Sequence, residues 1–239
     1  MSNGINKHVT AVILAAGSST RMGMEQSKHL LTLCGDTVLG HCLRAFEMAE
    51  SIASIVVVAR EDELSDVRAL IGGFNKVIAT VAGGDSRAES ARLGFAAIPA
   101  ESQYVAIHDA ARCLITSDTV DAVVRAGIEY GASTAGARVY DTVKMLDDEG
   151  YISGTVSRDK LFFAATPQVF RRELYSNALA QVSDFEGITD DNSLLERIGV
   201  RIYPVDTGRS NIKLTTADDV KFAEFLLNKR ARFGCHKLD

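Results

Sequence analysis

Short β-branched runs alternate with amphipathic segments in the first half of the chain, and this alternation constrains the fold more than any other sequence feature. We predict strands at four apolar runs, 9–14, 55–59, 77–81 and 104–107. The segments 38–49, 63–71 and 86–98 carry apolar residues at helical spacing. Such alternation is typical of parallel strands joined by right-handed helical crossovers. It predicts an α/β fold with an open, mostly parallel, Rossmann-like sheet and helices on both faces.

The pattern changes after a further helix at 119–130 and a strand at 133–139. Residues 140–160 are polar and alternating, with a turn signal at 148–150, which predicts a β-hairpin projecting from the sheet. The remaining predicted elements are helices at 172–181 and 191–198, a strand at 200–205, and a helix at 217–228. We therefore expect one domain over 1–239, with 140–160 as a β-arm.

Composition excludes several classes of protein. The 239 residues include 26 Lys and Arg against 31 Asp and Glu, a formal net charge of −5, whereas general nucleic-acid binding needs a basic face. The sequence contains no apolar run of the roughly 18 residues that a membrane helix needs. Four scattered cysteines, without a CxxC pair, favour reduced thiols. We expect a cytoplasmic protein that binds neither nucleic acid nor membrane.

Ligands of open parallel sheets bind beyond the carboxyl ends of the strands, so the loops there are informative. After the first predicted strand come Ala15, Ala16 and Gly17, whose small side chains let backbone N–H groups wrap a phosphate. Arg21 and Lys28 follow as mobile cations. The loop matches neither GxGxxG nor GxxxxGK[ST], which disfavours a dinucleotide site and a P-loop. Phosphate binding is the functional interpretation, and an ordinary Gly/Ser turn is the structural alternative.

The loop after the third predicted strand reads AGGDSRAES. Gly84 permits close approach of a planar base, and Asp85 is placed to cap the following helix. Arg87 and Ser90 are three residues apart, so they share a helix face near its positive end. The structural alternative is a loop with an N-cap and no ligand.

The segment HDAAR follows the fourth predicted strand. Asp109 at a strand end suits Mg²⁺, which prefers one or two carboxylates together with substrate phosphates. Arg112 has the geometry to grip a second phosphate, although an internal Asp109–Arg112 ion pair is the alternative. His108 is expected to be packed rather than to act as a base. Lys213, in a polar loop, is by itself typical of a solvated lysine.

Taken together, the segments AAGxxxRM, GGDxRxxS, HDAAR, DTxK, TPQ, ITDD and NIK resemble the 2-C-methyl-D-erythritol 4-phosphate cytidylyltransferase family, over about residues 9–226. The glycine loop alone is shared with many sugar-phosphate nucleotidyltransferases. The resemblance implies a nucleotidyltransferase fold and Mg²⁺-assisted transfer of a cytidylyl group from CTP to a polyol phosphate of the non-mevalonate isoprenoid pathway. It also implies a homodimer in which the arm swaps between subunits.

The resemblance also assigns roles by residue. For CTP these are Ala15, Ala16, Gly17, Gly84, Asp85, Arg87 and Ser90. For the polyol phosphate they are Asp109, Arg112, Thr142, Arg158, Thr166 and Lys213. Arg21, Lys28 and Lys213 would supply catalytic charge, and Asp109 would hold the metal.

The sequence departs from the family pattern in three segments. Ser27 and His29 flank Lys28 where Pro and Gln are usual, Cys113 stands where a Pro is typical, and Tyr140 precedes Asp141 where a variety of residues occurs. Rival hypotheses are a ribitol 5-phosphate cytidylyltransferase, a guanylyl- or uridylyltransferase with the same glycine loop, and a non-catalytic nucleotide-binding protein. HDAAR favours methylerythritol phosphate, since ribitol relatives commonly read HDSVR.

Overall fold

A seven-stranded sheet with one reversed strand organises the chain. The computed structural model describes residues 8–17, 27–182, 185 and 187–233. Its strands are β1 (Val9–Leu14), β2 (Thr32–Leu33), β3 (Asp36–Thr37), β4 (Ser54–Ala59), β5 (Val77–Ala82), β6 (Tyr104–Asp109), β7 (Ala132–Arg138), β8 (Val143–Leu146), β9 (Ile152–Val156), β10 (Phe162–Arg171) and β11 (Tyr203–Asp206). Its α-helices are α1 (Val38–Met48), α2 (Leu64–Ile71), α3 (Arg87–Ala96), α4 (Ser117–Tyr130), α5 (Arg172–Ala180), α6 (Asp191–Glu196) and α7 (Ala217–Phe233).

The strand order in the large sheet is β11-β7-β10-β6-β1-β4-β5. Neighbouring strands are parallel except around β10, which is antiparallel to both β6 and β7. Leu14 at the end of β1 lies opposite Asp109 at the end of β6, so the loops that follow both strands begin at the same edge of the sheet. The predicted mostly parallel α/β sheet is confirmed.

Helices cover the sheet on both faces because its central strands are apolar throughout. Every residue of β1, β4 and β6 is buried. Ile13 of β1 packs in one core with residues of α1 and α4, and Val12 packs in the opposite core with residues of α3, α5 and α6. Gly94 of α3 allows close packing, since a Cβ there would lie 2.4 Å from Val12 Cγ1.

The strand β10 is the largest departure from the sequence prediction, which placed no strand at 162–171. Its Pro167 lies where the pairing with β7 shifts, between Ala164 and Gln168. Proline within a sheet is confined to edges and to such irregularities, so it argues against a strand when only the sequence is read. The predicted strand at 200–205 begins later, as β11, and the last helix extends five residues beyond the predicted end at 228, to Phe233.

Residues 140–160 contain the two-stranded antiparallel hairpin of β8 and β9, which forms a sheet of its own. Its apolar side chains are largely uncovered, with Leu146 63%, Tyr151 74% and Ile152 65% exposed. Within the described residues, no helix has the length and apolar character needed to cross a membrane.

Candidate active site

A cavity of about 440 Å³ opens at the carboxyl ends of β1, β5 and β6. It brings together nine of the residues that the sequence singled out: Ala16, Gly17, Lys28, Gly84, Asp85, Arg87, Ser90, Asp109 and Lys213. These residues come from four separate segments of the chain. The edge of the sheet where parallel strands end is where ligands of this fold class bind, so the cavity is the candidate active site.

Asp109, the last residue of β6, lies at the centre of the charged groups in this cavity. Its Oδ1 accepts a hydrogen bond from Arg87 Nε at 3.0 Å, and its Oδ2 accepts one from Lys213 Nζ at 2.7 Å. Burial alone would raise the pKa of this carboxyl, but the charges of Arg87 and Lys213 outweigh burial and hold the pKa well below its usual value. Asp109 is therefore ionised at neutral pH.

Arg87 lies between two carboxylates. Its Nε contacts Asp109, and its Nη1 donates to Asp191 Oδ2 at 2.8 Å. Burial alone would lower the pKa of Arg87, but the charges of Asp191 and Asp109 outweigh burial and raise it. The predicted nucleotide-binding residue Arg87 is thus at the cavity, with its guanidinium engaged by protein carboxylates.

Lys213 reaches Asp109 because its neighbour is fixed in the core. Leu214 is buried, and its N–H donates to the carbonyl of Ala111 in the loop after β6. This backbone bond ties the segment before α7 to the segment that carries Asp109. The sequence alone is typical of a solvated lysine at this position, whereas the structure places the side chain of Lys213, 34% exposed, in the cavity.

Lys28 and His29 also line the cavity, and both are buried. Burial, together with the charge of Lys28, lowers the pKa of His29 to about 3. His29 is therefore neutral at physiological pH. Of these two cavity residues, Lys28 contributes positive charge and His29 contributes none.

The loop after β5 approaches the loop after β1 closely, and this requires glycine. A Cβ on Gly83 would lie 2.5 Å from Ala16 Cβ and 2.8 Å from Ser90 Oγ. Ser90 Oγ accepts a hydrogen bond from the Gly84 N–H at 3.2 Å. The prediction that Asp85 caps α3 is wrong: Ser86 is the N-cap. A serine oxygen accepts well at an N-cap, and this leaves Asp85 lining the cavity instead.

Thr166 contacts both the backbone of Asp109 and the side chain of His108. Thr166 Oγ1 accepts a hydrogen bond from the Asp109 N–H at 3.0 Å and lies 3.0 Å from His108 Nδ1. Burial lowers the pKa of His108 to about 3, so this side chain is a neutral packed residue, as expected. Thr166 is itself buried, and its hydroxyl is engaged within the protein.

Arg112 lies beside a second, smaller cavity. Its Nη1 donates to the carbonyl of Asn211 at 2.9 Å, and both residues line a space of about 240 Å³. Among the described ion pairs, Asp109 pairs with Arg87 and Lys213. The Asp109–Arg112 pair considered from the sequence is not among them.

Five predicted site residues within the described part of the chain do not line the main cavity: Ala15, Arg112, Thr142, Arg158 and Thr166. Ala15 is buried, and its N–H donates to the Val58 carbonyl at 2.7 Å, which leaves it no N–H for a phosphate. Thr142 and Arg158 lie at the base of the exposed hairpin, where Arg158 donates to the carbonyl of Tyr140. Arg21 falls outside the described residues.

Thr189 and Asp191 are site residues that the sequence reading missed. Thr189 lines the cavity, and Asp191 binds Arg87. The segment ITDD places two aspartates at the start of a helix, and only one of them can be the N-cap. The second aspartate is therefore a candidate for another contact. Asp190 is that cap, accepting from the Ser193 N–H at 3.0 Å, so the second carboxylate is available for another partner.

The fold and the cavity together define an α/β protein of the nucleotidyltransferase class, with a small-residue loop and several cations at the end of a parallel sheet. The sequence model of one such family, the 2-C-methyl-D-erythritol 4-phosphate cytidylyltransferases (IspD), matches residues 9–229. The chain belongs to this family.

Individual relatives agree with the family match. The 2-C-methyl-D-erythritol 4-phosphate cytidylyltransferase of Pelotomaculum thermopropionicum is 38% identical over 226 residues, which cover 93% of this chain and 95% of that protein. The enzyme of the same name from Symbiobacterium thermophilum is 38% identical, covering 97% and 98%. The crystal structure of 4-diphosphocytidyl-2C-methyl-D-erythritol synthase from Anaerococcus prevotii is similar with a TM-score of 0.83 at 26% identity, covering 93% and 96%.

Proposed function

We propose that this chain transfers the cytidylyl group of CTP to 2-C-methyl-D-erythritol 4-phosphate and releases pyrophosphate. The main support for this proposal is the family match over residues 9–229. The cavity agrees with it, because Lys28, Arg87, Asp109 and Lys213 line it at the ends of the central strands. The relatives named above bear this activity in their names, which favours methylerythritol phosphate over the rival substrate ribitol 5-phosphate.

The reaction needs alignment and charge stabilisation more than a general base. A phosphate monoester is already an anionic nucleophile near neutral pH. Its oxygen attacks the α-phosphorus of CTP, and the bond from that phosphorus to the bridging oxygen breaks as pyrophosphate leaves. Negative charge gathers on the phosphorus and on the leaving group, and fixed cations stabilise it. Lys28 and Lys213 line the cavity for this role, and Arg21 is proposed for it from the family motif.

The base and ribose of CTP are proposed to lie against the loop after β5. Gly84, Asp85 and Ser90 line this part of the cavity. The Gly83 contact with Ala16 holds this loop against the one that would bind the triphosphate. Polar backbone and side-chain groups placed in this way discriminate bases by hydrogen bonds, because a mismatched base leaves them unpaired.

Asp109 is the proposed ligand of Mg²⁺. Among the described residues, no cluster of three or more His, Cys, Asp or Glu side chains is placed to hold a metal. A single ionised carboxylate still fits Mg²⁺, because this ion keeps several waters and takes its other ligands from substrate phosphates. The ion would supply positive charge to the triphosphate when bound.

The hairpin is the proposed dimerisation arm. Thr142 and Arg158 lie outside the cavity of their own chain, and the strands between them expose Leu146, Tyr151 and Ile152. Uncovered apolar side chains on a projecting element favour a protein interface. In a homodimer that exchanges this element, Thr142 and Arg158 would bind the polyol phosphate in the partner's cavity.

The proposed compartment is the cytoplasm, with no nucleic-acid or membrane partner. Cys34, Cys42 and Cys113 are free thiols, and the last two are buried. Unpaired thiols are typical of reducing compartments.

Steady-state pyrophosphate release with methylerythritol phosphate and each of CTP, UTP, GTP and ATP tests the proposed function. We expect CTP to be preferred by at least about a hundredfold in kcat/KM, since base contacts of this kind exclude mismatched partners strongly. Equal rates with the four nucleotides would overturn the proposal that the loop after β5 selects cytosine.

A further inference from the structure

A network of hydrogen bonds extends from the cavity to buried residues of β10, α5 and α6. Arg87 contacts Asp109 Oδ1 through Nε and Asp191 Oδ2 through Nη1, at 3.0 and 2.8 Å. The side chain of Asp191 is 3% exposed, against 10% for Asp109 and 26% for Arg87. The guanidinium is thus attached at its far end to a carboxylate that lies deeper in the protein than the one at the cavity.

Asp191 is itself held by independent contacts. Its Oδ1 accepts from Tyr175 Oη at 2.7 Å, and its N–H donates to Gln168 Oε1 at 2.9 Å. Burial raises the pKa of the Tyr175 hydroxyl well above its ordinary value, so the group remains a donor. The Tyr175 ring packs against Phe95 and Phe170, at 4.9 and 5.6 Å between centroids. Residues from β10, α5 and α6 therefore fix the position of this one carboxylate.

The two oxygens of Asp109 consequently differ in how firmly they are held. Oδ1 is bound by Arg87, which has a second buried anchor. Oδ2 is bound by Lys213, whose side chain is more exposed than that of Arg87 and whose partner among the described residues is Asp109. A cation that binds Oδ2, or a phosphate that binds Lys213, can therefore break the contact between Lys213 and Oδ2 more easily than the contact between Arg87 and Oδ1. A fixed Oδ1 sets the plane of the carboxylate and so the direction in which Oδ2 faces the cavity.

We infer that Asp191 is a positioning residue for the transfer reaction, acting through Arg87 to orient the Asp109 carboxylate so that Oδ2 faces the reacting phosphates. This inference rests on the proposed function. Asp191 does not line the cavity, so it acts without touching substrate. Partners that orient a metal-binding or catalytic carboxylate from behind typically change activity by about 10–100-fold when they are removed.

The matched pair of variants for the test is Asp191→Asn and Asp190→Asn. Both remove one carboxylate from the start of α6, and asparagine still serves as an N-cap at position 190. Asp190→Asn also removes the carboxylate that accepts from Gln168 Nε2, so it controls for loss of that contact as well. Of these two aspartates, Asp191 is the one that contacts Arg87. We expect Asp191→Asn to lower kcat by about tenfold with KM for CTP changed less than about threefold, and Asp190→Asn to keep kcat within about twofold of the wild type. Equal kcat values for the two variants would overturn the inference.

A double-mutant cycle with Arg87→Lys separates positioning from general stability. If Asp191 acts through the guanidinium, Asp191→Asn costs less than about twofold in kcat once Arg87 is Lys. Full additivity of the two losses would contradict the inference.

If Asp191→Asn does not fold, Tyr175→Phe removes only the hydroxyl that holds Asp191. We expect a loss of about threefold in kcat from it, again absent in the Arg87→Lys background. An additive loss would count against the inference.

The ¹⁵N–¹H signal of Arg87 Nη1, the atom that donates to Asp191 Oδ2, provides a readout that does not depend on activity. The signal is assigned by its absence in Arg87→Lys. We expect it to exchange slowly with water in the wild type and in Asp190→Asn, and to exchange rapidly in Asp191→Asn. Slow exchange in Asp191→Asn would show that Asp191 does not hold Arg87. A wild-type enzyme that fails to use CTP and methylerythritol phosphate would overturn the proposed function, and this signal would still decide whether Asp191 positions Arg87.

Discussion

Lys213 Nζ lies 2.7 Å from Asp109 Oδ2, although 104 residues of chain separate them. This contact pairs a proposed catalytic cation with the proposed metal ligand, so the ligand-free cavity is partly neutralised by its own groups. In the proposed reaction, an incoming triphosphate would compete for Lys213, and an incoming cation would compete for Asp109. In the acidic chain, with a net charge of −5, two of the cavity's cations, Arg87 and Lys213, are thus paired with buried carboxylates.

Replacing Lys213 by Ala is expected to lower pyrophosphate release by about a hundredfold, because one fixed charge at a developing anion contributes on this scale. Lys221→Ala is the matched control, since Lys221 pairs with Asp218 on the exposed surface of α7. Pyrophosphate release with CTP and methylerythritol phosphate, alongside circular dichroism, measures both effects. A Lys213→Ala enzyme as active as Lys221→Ala would contradict the assigned role.

Gly83→Ala is expected to separate the two loops of the nucleotide site. The added Cβ would lie 2.5 Å from Ala16 Cβ, so one loop must shift. We expect KM for CTP to rise by about tenfold and the free energy of unfolding to fall by about 1–3 kcal/mol, as for overpacked sites. Gly73→Ala is the control, because a Cβ at Gly73 meets nothing within 4 Å. Unchanged CTP binding in Gly83→Ala would show that the contact with Ala16 does not shape the site.

Two buried histidines predict how stability depends on pH. Burial holds the pKa of both His29 and His108 at about 3, against an ordinary value of 6.5. Between these values the unfolded chain binds protons that the folded chain does not, so stability falls as pH decreases. We expect the free energy of unfolding in urea to fall by roughly 1 kcal/mol per pH unit for each His between pH about 6 and 4. The carboxyl of Asp109, whose pKa is lowered, contributes its own loss only below pH about 4.

Replacement variants check the histidine assignment. His29→Gln and His108→Asn each remove one titrating group, and each should reduce the slope of unfolding free energy against pH in that range. The two reductions should add when the variants are combined. A slope that neither substitution changes would exclude the buried histidines as its source.

Subunit complementation tests the proposed exchange of the hairpin. Arg158→Ala removes a hairpin cation, and Lys213→Ala removes a cavity cation. If the hairpin completes the partner's site, a mixed dimer contains one intact site, and an equal mixture of the two inactive variants should recover about one quarter of wild-type activity. Ile152→Asp, which places a charge on the exposed apolar strand, should prevent recovery and shift the sedimentation coefficient toward the monomer. If the mixture of Arg158→Ala and Lys213→Ala, without Ile152→Asp, recovers no activity, Arg158 acts within its own chain.

The parallel half of the fold could be predicted from the sequence because its strands are continuous apolar runs. Val9–Leu14 and Ser54–Ala59 are buried on both faces, and helical spacing appears between such runs. The reversed strand β10 could not be recognised in this way. Pro167 interrupts the strand, and prolines are usually absent from strand interiors. The strand pairs with β6 and β7, and this pairing depends on the tertiary structure, not on a local sequence pattern. Because that strand was not predicted, the hydrogen bond between the Asp109 N–H and Thr166 Oγ1 could not be predicted either.

Cavity residues could be predicted where a strand leads directly into a distinctive loop, as at Gly17, Gly84 and Asp109. Pairings between distant segments could not. Nothing local in the sequence distinguishes Asp191 from Asp190, and only the fold shows that one caps α6 while the other binds Arg87. Lys213 illustrates the same limit, since its place in the cavity depends on the Leu214–Ala111 backbone bond.

Direct detection of the product tests the central claim, that this cavity transfers a cytidylyl group to methylerythritol phosphate. The measurement is phosphorus NMR of a reaction containing the wild-type enzyme, CTP, Mg²⁺ and either 2-C-methyl-D-erythritol 4-phosphate or ribitol 5-phosphate. We expect a new diphosphate diester and an equal amount of pyrophosphate with methylerythritol phosphate, and much slower formation with ribitol phosphate. A clear preference for ribitol phosphate, or no diester with either substrate, would contradict it.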